Sequence, residues 1–589
     1  MRISTQKEVN FEIQKAVASL TQRLSLYNST IAEGLISYVA RAGMEGSGGE
    51  DAEKLAKAMD KQMGPSNAIA KIFRQNGWKK YLGHQSPEVS KTDLAKAELD
   101  VGTLTNFSQI TGGQSLGYVS LDTRLARGTV RPSSFTLYQH LNKSAAKQVV
   151  DYWAYASATG GAPPGAAFSG YSNVGTGTLT TNAGVYALQN ITLKLAVDGR
   201  AITTALAAQN SFVNVAEQET TNAALSILSS LNWACYYGNP TLYTNQFEGL
   251  LQSIPAANQF NFQEFYTNGP AVSEGWSKSL TLFNLIYEAA GQITSYNTFG
   301  HITHAFMSPT SMGGLEGLTQ QQLNNILNEF SAQQGRSPIW DNGNLMGMRT
   351  RYGDIQFPLD LFITARNAPL MSILNNGTSQ ATSTNPTPPA SVSGVASASV
   401  PGSQFTTTYA PTSGATYYYA VASMDSNMNE STLTYTAAIT GVAANGGITL
   451  TIAPPSDHTA AAFRIYRSAL NASSDQASGT PVGNGVRYIA DVAANGSSNV
   501  TFTDTNSWIP GSEPIFLLDL DDNDFALDYR YLLPISKIEL FAQNLFMPWA
   551  VAAIGAVRNT IPKFHGVILN YVPENPAWDP LNPSLNPND

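Results

Sequence analysis

Residues 384–514 are the feature that most constrains the fold of this chain. Short runs of β-branched and aromatic residues alternate there with turn residues, which is typical of an all-β module. The segment begins with the Pro-rich stretch Thr384–Pro389 and ends with the Pro/Gly boundary Trp508–Pro514. Because the chain before and after it reads as one interrupted domain, we expect a module spliced into a surface loop, where it decorates a scaffold.

The apolar residues of this module alternate as a two-sheet core requires. Tyr417, Tyr419 and Val421 alternate so that they share one face. Ile448, Leu450 and Ile452 share another face in the same way. The segment lacks the Cys…Trp…Cys set of an antibody domain.

The composition favours some classes of protein and argues against others. With 589 residues, the chain is expected to form about two to four domains. Only 13% of its residues are charged, about half the usual share, which fits burial in a large assembly or simply a secreted or β-rich protein. A net charge of −9 without a basic block argues against tight DNA binding.

The same sequence bears on compartment. A single cysteine, Cys235, excludes an intrachain disulfide framework. No apolar run approaches the ~20 residues that span a membrane. The first residues lack the apolar core of a signal peptide. We therefore expect a soluble protein made in a cytoplasm.

Periodicity predicts helices in the first half of the chain. Residues Phe11–Ala42 and Ser66–Gly77 read as helices of an amino-terminal arm. Ile202–Tyr237 is the longest helical candidate, ended by Gly238 and Pro240, and would be about 50 Å long. That length suits a structural spine.

Other segments read as extended chain. The Gly-rich stretch Thr159–Asn182 has no helical period and predicts a long extended loop. Tyr186–Val197 alternates as a half-buried strand, followed by a turn at Asp198–Gly199. A further turn is predicted at Asn142–Ser144.

Residues Phe247–Ile363 are typical of a mixed α/β domain. We predict helices over Trp276–Ser295 and Thr319–Gln333, and strands over His301–Met307 and Ile355–Ile363. The chain then resumes after the module with Ile515–Leu518, Tyr531–Gln543, Phe546–Val557, a strand His565–Tyr571, and a surface-bound or mobile tail Pro573–Asp589.

Candidate metal sites are weak. His301 and His304 form His-x-x-His, but in a strand they would lie on opposite faces, so packing or surface roles are favoured over zinc. Asp519–Asp524 begins like a calcium loop, but its sixth and twelfth positions are Asp524 and Arg530, so a solvated acidic turn is favoured.

The module contains a second imitation of the calcium pattern. Asp425, Asn427 and Asn429 fit it, but Glu430 and Thr436 stand at the sixth and twelfth positions. A β-hairpin turn is the better interpretation.

No catalytic set emerges from the sequence. Signatures of nucleophilic hydrolases, phosphate-binding loops, zinc proteases and redox dithiols are missing. Cys235 lies in an apolar helical stretch and is expected to be buried and inert, and Glu217 and Glu219, two apart on a helix, would not face each other. We assign no catalytic, cofactor-binding or metal-binding residues, which favours a structural protein.

The ordered set of segments resembles the major capsid proteins of large tailed bacteriophages, which have the α+β Hong Kong 97-type fold. The segments that carry the resemblance are Leu193–Arg200, Trp233–Asn239, Phe306–Pro309, Leu532–Ala542 and Ile561–Asn570. No single motif among them is specific; their order is the basis of the resemblance.

The resemblance implies a division of the chain. By it, the parts are a helical arm (1–98), a peripheral part (99–246) with extended loop (159–182) and spine helix (202–237), a mainly axial domain (247–383), the inserted sandwich (384–514), a return to the body (515–572) and a tail (573–589).

The inserted module resembles a fibronectin type III or immunoglobulin-like sandwich. Its similar stretches are Thr416–Ser431, Ala462–Ser468 and Val500–Thr505. Likeness to capsid proteins with such inserts implies that it projects from the outer shell.

The implied function is self-assembly into pentamers and hexamers of an icosahedral head around double-stranded DNA, without enzymatic activity or cofactor. Implied partners are other copies, a portal, a scaffold and a cement protein, in a virion assembled in the bacterial cytoplasm. Arg124, Arg127 and Arg131 would form salt bridges to neighbours rather than contact DNA, and Lys143 and Lys147 alone do not indicate a crosslink.

Two other classes stay open. A tail protein or adhesin could use the sandwich as a glycan-binding module, which predicts fibres or free oligomers. An enzyme with an accessory module would need a carboxylate pair in an aromatic cleft.

Overall fold

The computed structural model describes residues 134–158, 185–203, 215–268, 276–296, 298–317, 337–341, 344–369, 386–411, 414–479, 482–521, 525–541 and 546–586. The chain divides into two compact units. The described part of the smaller unit comes from Ala196–Ile227 and Leu533–Ala553, and the larger unit holds the remaining described residues.

The described residues mix helices and strands. The helices are α1 (Thr136–His140), α2 (Val215–Tyr237), α3 (Leu250–Ser253), α4 (Phe262–Asn268), α5 (Lys278–Ile293), α6 (Pro309–Glu316) and α7 (Ser474–Ser478). Short 3₁₀ turns lie at Ala256–Asn258, Leu361–Thr364, Pro562–Phe564 and Pro583–Leu585.

The strands fall into three stretches of sequence. The first nine are β1 (Asn142–Ala145), β2 (Val150–Ala158), β3 (Val185–Thr192), β4 (Lys194–Thr203), β5 (Gln259–Asn261), β6 (His304–Phe306), β7 (Ser337–Asp341), β8 (Asn344–Thr350) and β9 (Gly353–Gln356). The next nine are β10 (Ser391–Ser397), β11 (Ala415–Tyr417), β12 (Tyr419–Met424), β13 (Thr434–Tyr435), β14 (Ile439–Val442), β15 (Gly447–Ala453), β16 (Ala462–Ser468), β17 (Val486–Ala493) and β18 (Val500–Asp504). The last four are β19 (Ile515–Leu518), β20 (Leu527–Glu539), β21 (Phe546–Asn559) and β22 (Gly566–Leu569).

A seven-stranded mixed sheet forms the centre of the larger unit, in the order β5–β22–β19–β6–β9–β8–β7. Helices α5 and α6 supply apolar residues to its core, which includes Leu282, Ile286 and Leu315. Ser277 and Ser308 cap the two helices by accepting backbone N–H groups of Leu280 and Ser311, and so satisfy donors that a helix start leaves unpaired.

A four-stranded sheet has the order β1–β20–β21–β4. Strand β1 is parallel to β20, with Asn142 opposite Asp528. Strands β2 and β3 form a separate two-stranded sheet.

Residues 386–514 are all-β apart from the short helix α7. Their sheets have the orders β10–β15–β18, β11–β14 and β13–β12–β16–β17. The two apolar sets singled out in the sequence are buried together in one core, with Tyr417, Tyr419 and Val421 packing in the same cluster as Ile448, Leu450 and Ile452. This confirms the predicted alternation.

The carboxy-terminal tail packs against this all-β segment. Leu581, together with Val572 just before the tail, joins its apolar core, and the Trp578 side chain is 3% exposed. Gly511 has a φ of +74°, and a Cβ there would meet the Trp578 ring at 2.7 Å, so a glycine is required at this crossing. Of the two alternatives for the tail, surface-bound is therefore correct for residues up to 586.

The structure corrects several predicted elements. The helix predicted to begin at Ile202 begins at Val215 in the described residues, and Ile202 belongs to strand β4. The described part of α2, with 23 residues, is about 35 Å long. The predicted turns at Asn142–Ser144 and Asp198–Gly199 are wrong, because both lie inside strands whose neighbours supply the backbone partners.

Two further strands are shorter than predicted. The strand expected over Ile355–Ile363 ends at Gln356, and Leu361–Thr364 is a 3₁₀ turn capped by Asp360. The strand expected over His301–Met307 covers His304–Phe306. The predictions for Phe11–Ala42, Ser66–Gly77, Thr159–Asn182 and Thr319–Gln333 lie outside the described residues.

Candidate assembly surfaces

The β2–β3 hairpin is a ribbon of two antiparallel strands. Its register runs from Val150 opposite Thr192 to Ala158 opposite Val185. No third strand among the described residues pairs with it. A lone two-stranded ribbon is at best marginally stable in water, so the hairpin depends on contacts made by its faces.

One face of this ribbon is exposed and, apart from Asn190, apolar. Cross-strand pairs place Tyr152, Ala154 and Ala156 opposite Asn190, Leu188 and Tyr186, and side chains directly opposite share a face. Tyr186 is 74% exposed, Leu188 70% and Tyr152 56%. We call these six residues the open face. Contiguous exposed apolar side chains of this kind mark interaction surfaces.

The opposite face of the ribbon carries Asp151, Trp153 and Ile191, which are partly buried. The carboxylate of Asp151 accepts hydrogen bonds from Arg530, at 2.8 Å from Nε and 3.2 Å from Nη2. Arg558 Nη1 lies 3.5 Å from the same carboxylate. Asp151 thereby joins the hairpin to strands β20 and β21.

These three residues belong to a closed ring of side chains. Arg558 binds Asp528 with two hydrogen bonds of 2.8 and 2.7 Å. Ser144 donates to Asp528 at 2.7 Å and accepts from Arg530 at 2.8 Å. The ring thus runs Ser144–Asp528–Arg558–Asp151–Arg530, and we call it the root ring. Both of its arginines make bidentate contacts with a carboxylate, the geometry that guanidinium favours.

A second exposed apolar group lies in the smaller unit, just after the end of β20 and at the start of β21. Phe541 is 95% exposed, Leu540 51% and Phe546 48%. Together they form an apolar end that no described residue of that unit buries.

A buried carboxylate that sequence reasoning missed lies in the larger unit. Asp360 is fully buried and accepts from the backbone N–H of Leu137 at 3.0 Å, from Asn232 Nδ2 at 3.0 Å and from Tyr236 Oη at 3.1 Å. Burial raises its pKa, although these hydrogen bonds lower it. The one signal of burial in the sequence is that Asp360 lies in an apolar stretch, three residues after Phe357. The carboxylate therefore joins helix α2, through Asn232 and Tyr236, to helix α1 at Leu137 and to the segment that contains Asp360.

The two histidines of His-x-x-His do not converge on one site. The His304 ring lies 5.5 Å from that of His140 and packs on Phe306, while the backbone N–H of His301 points to Asp519. Burial and the neighbouring His140 lower the pKa of His304 to about 4. Its role in packing agrees with the interpretation favoured from sequence.

The solvated acidic turn predicted at Asp519–Asp524 is wrong at its first residue. Asp519 is fully buried, its carboxylate accepts the N–H of Asp521 at 3.1 Å, and its own N–H donates to His565 Nδ1 at 3.2 Å. The chain folds inward there because β19 is central in its sheet. Residues 522–524 lie outside the described part.

The turn predicted at Asp425 is confirmed. Met424 and Glu430 form an antiparallel bridge, and Asp425 Oδ1 accepts the N–H groups of Asn427 and Asn429 at 2.8 Å each. An aspartate that satisfies the backbone of its own turn is a common turn device.

The other cysteine, glutamate, lysine and arginine residues singled out in the sequence do not come together in one site among the described residues. Cys235 is fully buried, and burial raises the pKa of its thiol, which agrees with an inert role. Glu219 pairs with Arg200 at 3.3 Å and not with Glu217. Lys143 Nζ donates to the carbonyl of Tyr138 at 2.7 Å, and Lys147 is exposed. Arg124, Arg127 and Arg131 lie outside the described residues.

Within the described ranges, no group of three or more His, Cys, Asp or Glu side chains could hold a metal ion. No helix in this part of the chain is long and apolar enough to cross a membrane.

No family model matches. No curated protein matches either. Among solved structures, the holo-SrpI encapsulin complex from Synechococcus elongatus PCC 7942 shares 7% identity at a TM-score of 0.34, over 77% of this chain and 93% of that one.

Two capsid structures give similar values. The capsid of the cyanophage P-SCSP1u shares 10% identity at a TM-score of 0.35, over 79% of this chain and 96% of that one. The capsid of a native GTA particle shares 10% identity at a TM-score of 0.35, over 79% and 99%.

Proposed function

We propose that this chain is a major capsid protein of a tailed bacteriophage, with a Hong Kong 97-type fold. It would assemble into pentamers and hexamers of an icosahedral head that encloses double-stranded DNA. Its place would be the virion shell, built in the bacterial cytoplasm, with portal, scaffold and cement proteins as partners.

The observation that carries the proposal is the open face of the β2–β3 hairpin. Tyr186 and Leu188 are each at least 70% exposed on a ribbon that no described strand extends. Burying apolar surface stabilises by about 25 cal/mol per Å², so a neighbour that covered this face would gain from it. A second copy of the chain is the occupant that self-assembly requires, and many such weak contacts would add up to a stable shell.

The proposed division of the chain follows the boundaries expected from sequence. Residues 384–514 would be an inserted sandwich of the fibronectin type III or immunoglobulin-like kind, projecting outward. The buried core of the three sheets supports it. Around it, residues 247–383 and 515–572 would form the axial domain and the returning body, with 99–246 as the peripheral part and 1–98 as the arm.

Electron microscopy of particles containing the full-length chain, with the copy number counted, tests the proposal. Closed icosahedral shells with knobs above the capsomers are expected. Fibres or small free oligomers, even beside the phage's own assembly partners, would exclude a capsid role and favour a tail protein or adhesin.

A further inference from the structure

The root ring suggests how the hairpin is held at a defined angle. It draws on four strands: Ser144 from β1, Asp151 from β2, Asp528 and Arg530 from β20, and Arg558 from β21. The hairpin contributes one member, Asp151. Every other member belongs to the sheet from which the hairpin departs.

The charges of the ring balance and are mostly shielded from water. Two arginines face two aspartates, and the exposed fractions of the four side chains are 13% for Asp151, 17% for Arg530, 16% for Arg558 and 7% for Asp528. Ion pairs at this degree of burial are screened less than surface pairs, and removing one partner leaves the others uncompensated. Loss of the Asp151 charge would therefore affect both arginines.

The contacts of Asp151 fix direction as well as distance. Two hydrogen bonds from Arg530 define the plane of the carboxylate, and Arg558 approaches from a second strand. The Arg558 guanidinium also lies 5.8 Å from the centroid of the Trp153 ring, two residues further along β2. A single hydrogen bond would allow rotation of the hairpin, whereas this arrangement opposes it.

We propose that Asp151 is a positioning residue that sets the angle at which the β2–β3 hairpin leaves the sheet. The hairpin's own backbone pairing does not depend on it. The consequence for assembly rests on the proposed capsid function: a hairpin released from this angle would present its open face to a neighbouring copy in many orientations, and shells would close less often.

The test is a distance measurement between spin labels on the full-length chain before assembly. Labels go on Leu188→Cys, in the hairpin, and Gln292→Cys, on α5. The native Cys235 is buried, so we expect it to take up little label. The unsubstituted chain, treated with the same label, measures this background. We expect Asp151→Asn to broaden and shift the distance distribution, and Asp151→Glu to restore part of it.

The matched control is Asp354→Asn, which breaks the exposed pair with Arg349 and should leave the distribution unchanged. Should Asp151→Asn fail to fold, Arg530→Lys replaces it, since lysine keeps the charge without the bidentate contact. An unchanged distribution in a folded variant overturns the positioning role.

Assembly is scored separately by microscopy. If the distribution broadens but the unsubstituted chain forms no shells, the positioning role stands and the capsid function fails. If the unsubstituted chain forms shells and Asp151→Asn neither broadens the distribution nor lowers the fraction of closed shells, the capsid function stands and the positioning role fails.

Discussion

The guanidinium carbon of Arg366 lies 4.0 Å from the centroid of the Tyr488 ring. Tyr237 and Trp508 complete an aromatic cage around the same group, at 4.3 and 4.9 Å. Arg366 precedes the all-β segment, Tyr488 lies in its strand β17, and Trp508 lies at its end. One cation therefore joins strand β17 and the end of this segment to the end of helix α2, within the larger unit.

The cage makes Arg366 important for stability. A desolvated cation–aromatic contact is worth about 2 kcal/mol, so we expect Arg366→Ala to lower the free energy of unfolding by about 3 kcal/mol. Urea unfolding followed by tryptophan fluorescence measures it. Arg349→Ala, at an exposed ion pair, is the control and should change stability by less than about 0.5 kcal/mol. Equal effects of the two variants would contradict the role of the cage.

Removal of the all-β segment should lower the solubility of the remaining chain. Replacing Pro386–Ser512 by a short Gly/Ser bridge would uncover Val572, Trp578 and Leu581, which pack against it. We expect the deleted chain to aggregate unless the tail after Pro573 is also removed. Soluble yield and light scattering compare the two deletions. A fully soluble single deletion would show that the segment is independent of the tail.

Asp360 should be sensitive to truncation. Asp360→Ala would leave the N–H of Leu137, the amide of Asn232 and the hydroxyl of Tyr236 without their acceptor in a buried site. An unsatisfied buried donor costs about 1–3 kcal/mol, so a loss of at least about 3 kcal/mol is expected in thermal or urea unfolding. Asp354→Ala, at an exposed carboxylate, is the comparison. Equal stabilities would show that the hydrogen bonds of Asp360 contribute little.

Stability should fall in mild acid because of His565. Burial lowers its pKa to about 4, whereas an unfolded histidine titrates near 6.5. The unfolded chain therefore takes up the proton first, and stability that is complete above pH 6.5 is lost as the pH falls to about 4, by on the order of 3 kcal/mol.

Unfolding free energies of His565→Gln, measured from pH 7 to pH 4, should show a shallower slope than those of the unsubstituted chain. Part of the slope remains, because the pKa of His304 is lowered in the same direction. His458→Gln, at an exposed histidine, is the matched control. An unaltered slope in His565→Gln would rule out this histidine as the source.

The open face should be required for assembly and not for folding. Tyr186→Ser with Leu188→Ser removes two of its largest apolar side chains, which are exposed and so contribute little to the folded subunit. We expect the variant to stay soluble with unchanged thermal unfolding, while closed particles disappear from micrographs. Val395→Ser, an exposed apolar position in β10, should assemble normally. Normal shells from the double variant would remove the main support for the capsid proposal.

The predictability of this chain differs between its parts. In the all-β segment, alternation with period two correctly identified Tyr417, Val421 and Leu450 as core residues, because successive side chains of a strand point to opposite faces and these three share one cluster. The start of α2 was not predictable in the same way. Residues 201–208 mix alanine with threonine, isoleucine and leucine, so helix and strand patterns both fit, and for Ile202 pairing within the sheet decides.

The alternating core of the all-β segment, the turn at Asp425 and the end of α2 at Tyr237 follow from local sequence, because each depends on residues close together in the chain. The burial of Asp360 and Asp519 and the root ring follow from long-range packing. Ser144 and Asp528 are 384 positions apart, and no local pattern marks them as partners. Their contact exists because parallel pairing of β1 with β20 brings them together, and long-range pairing of this kind depends on the packing of the whole unit.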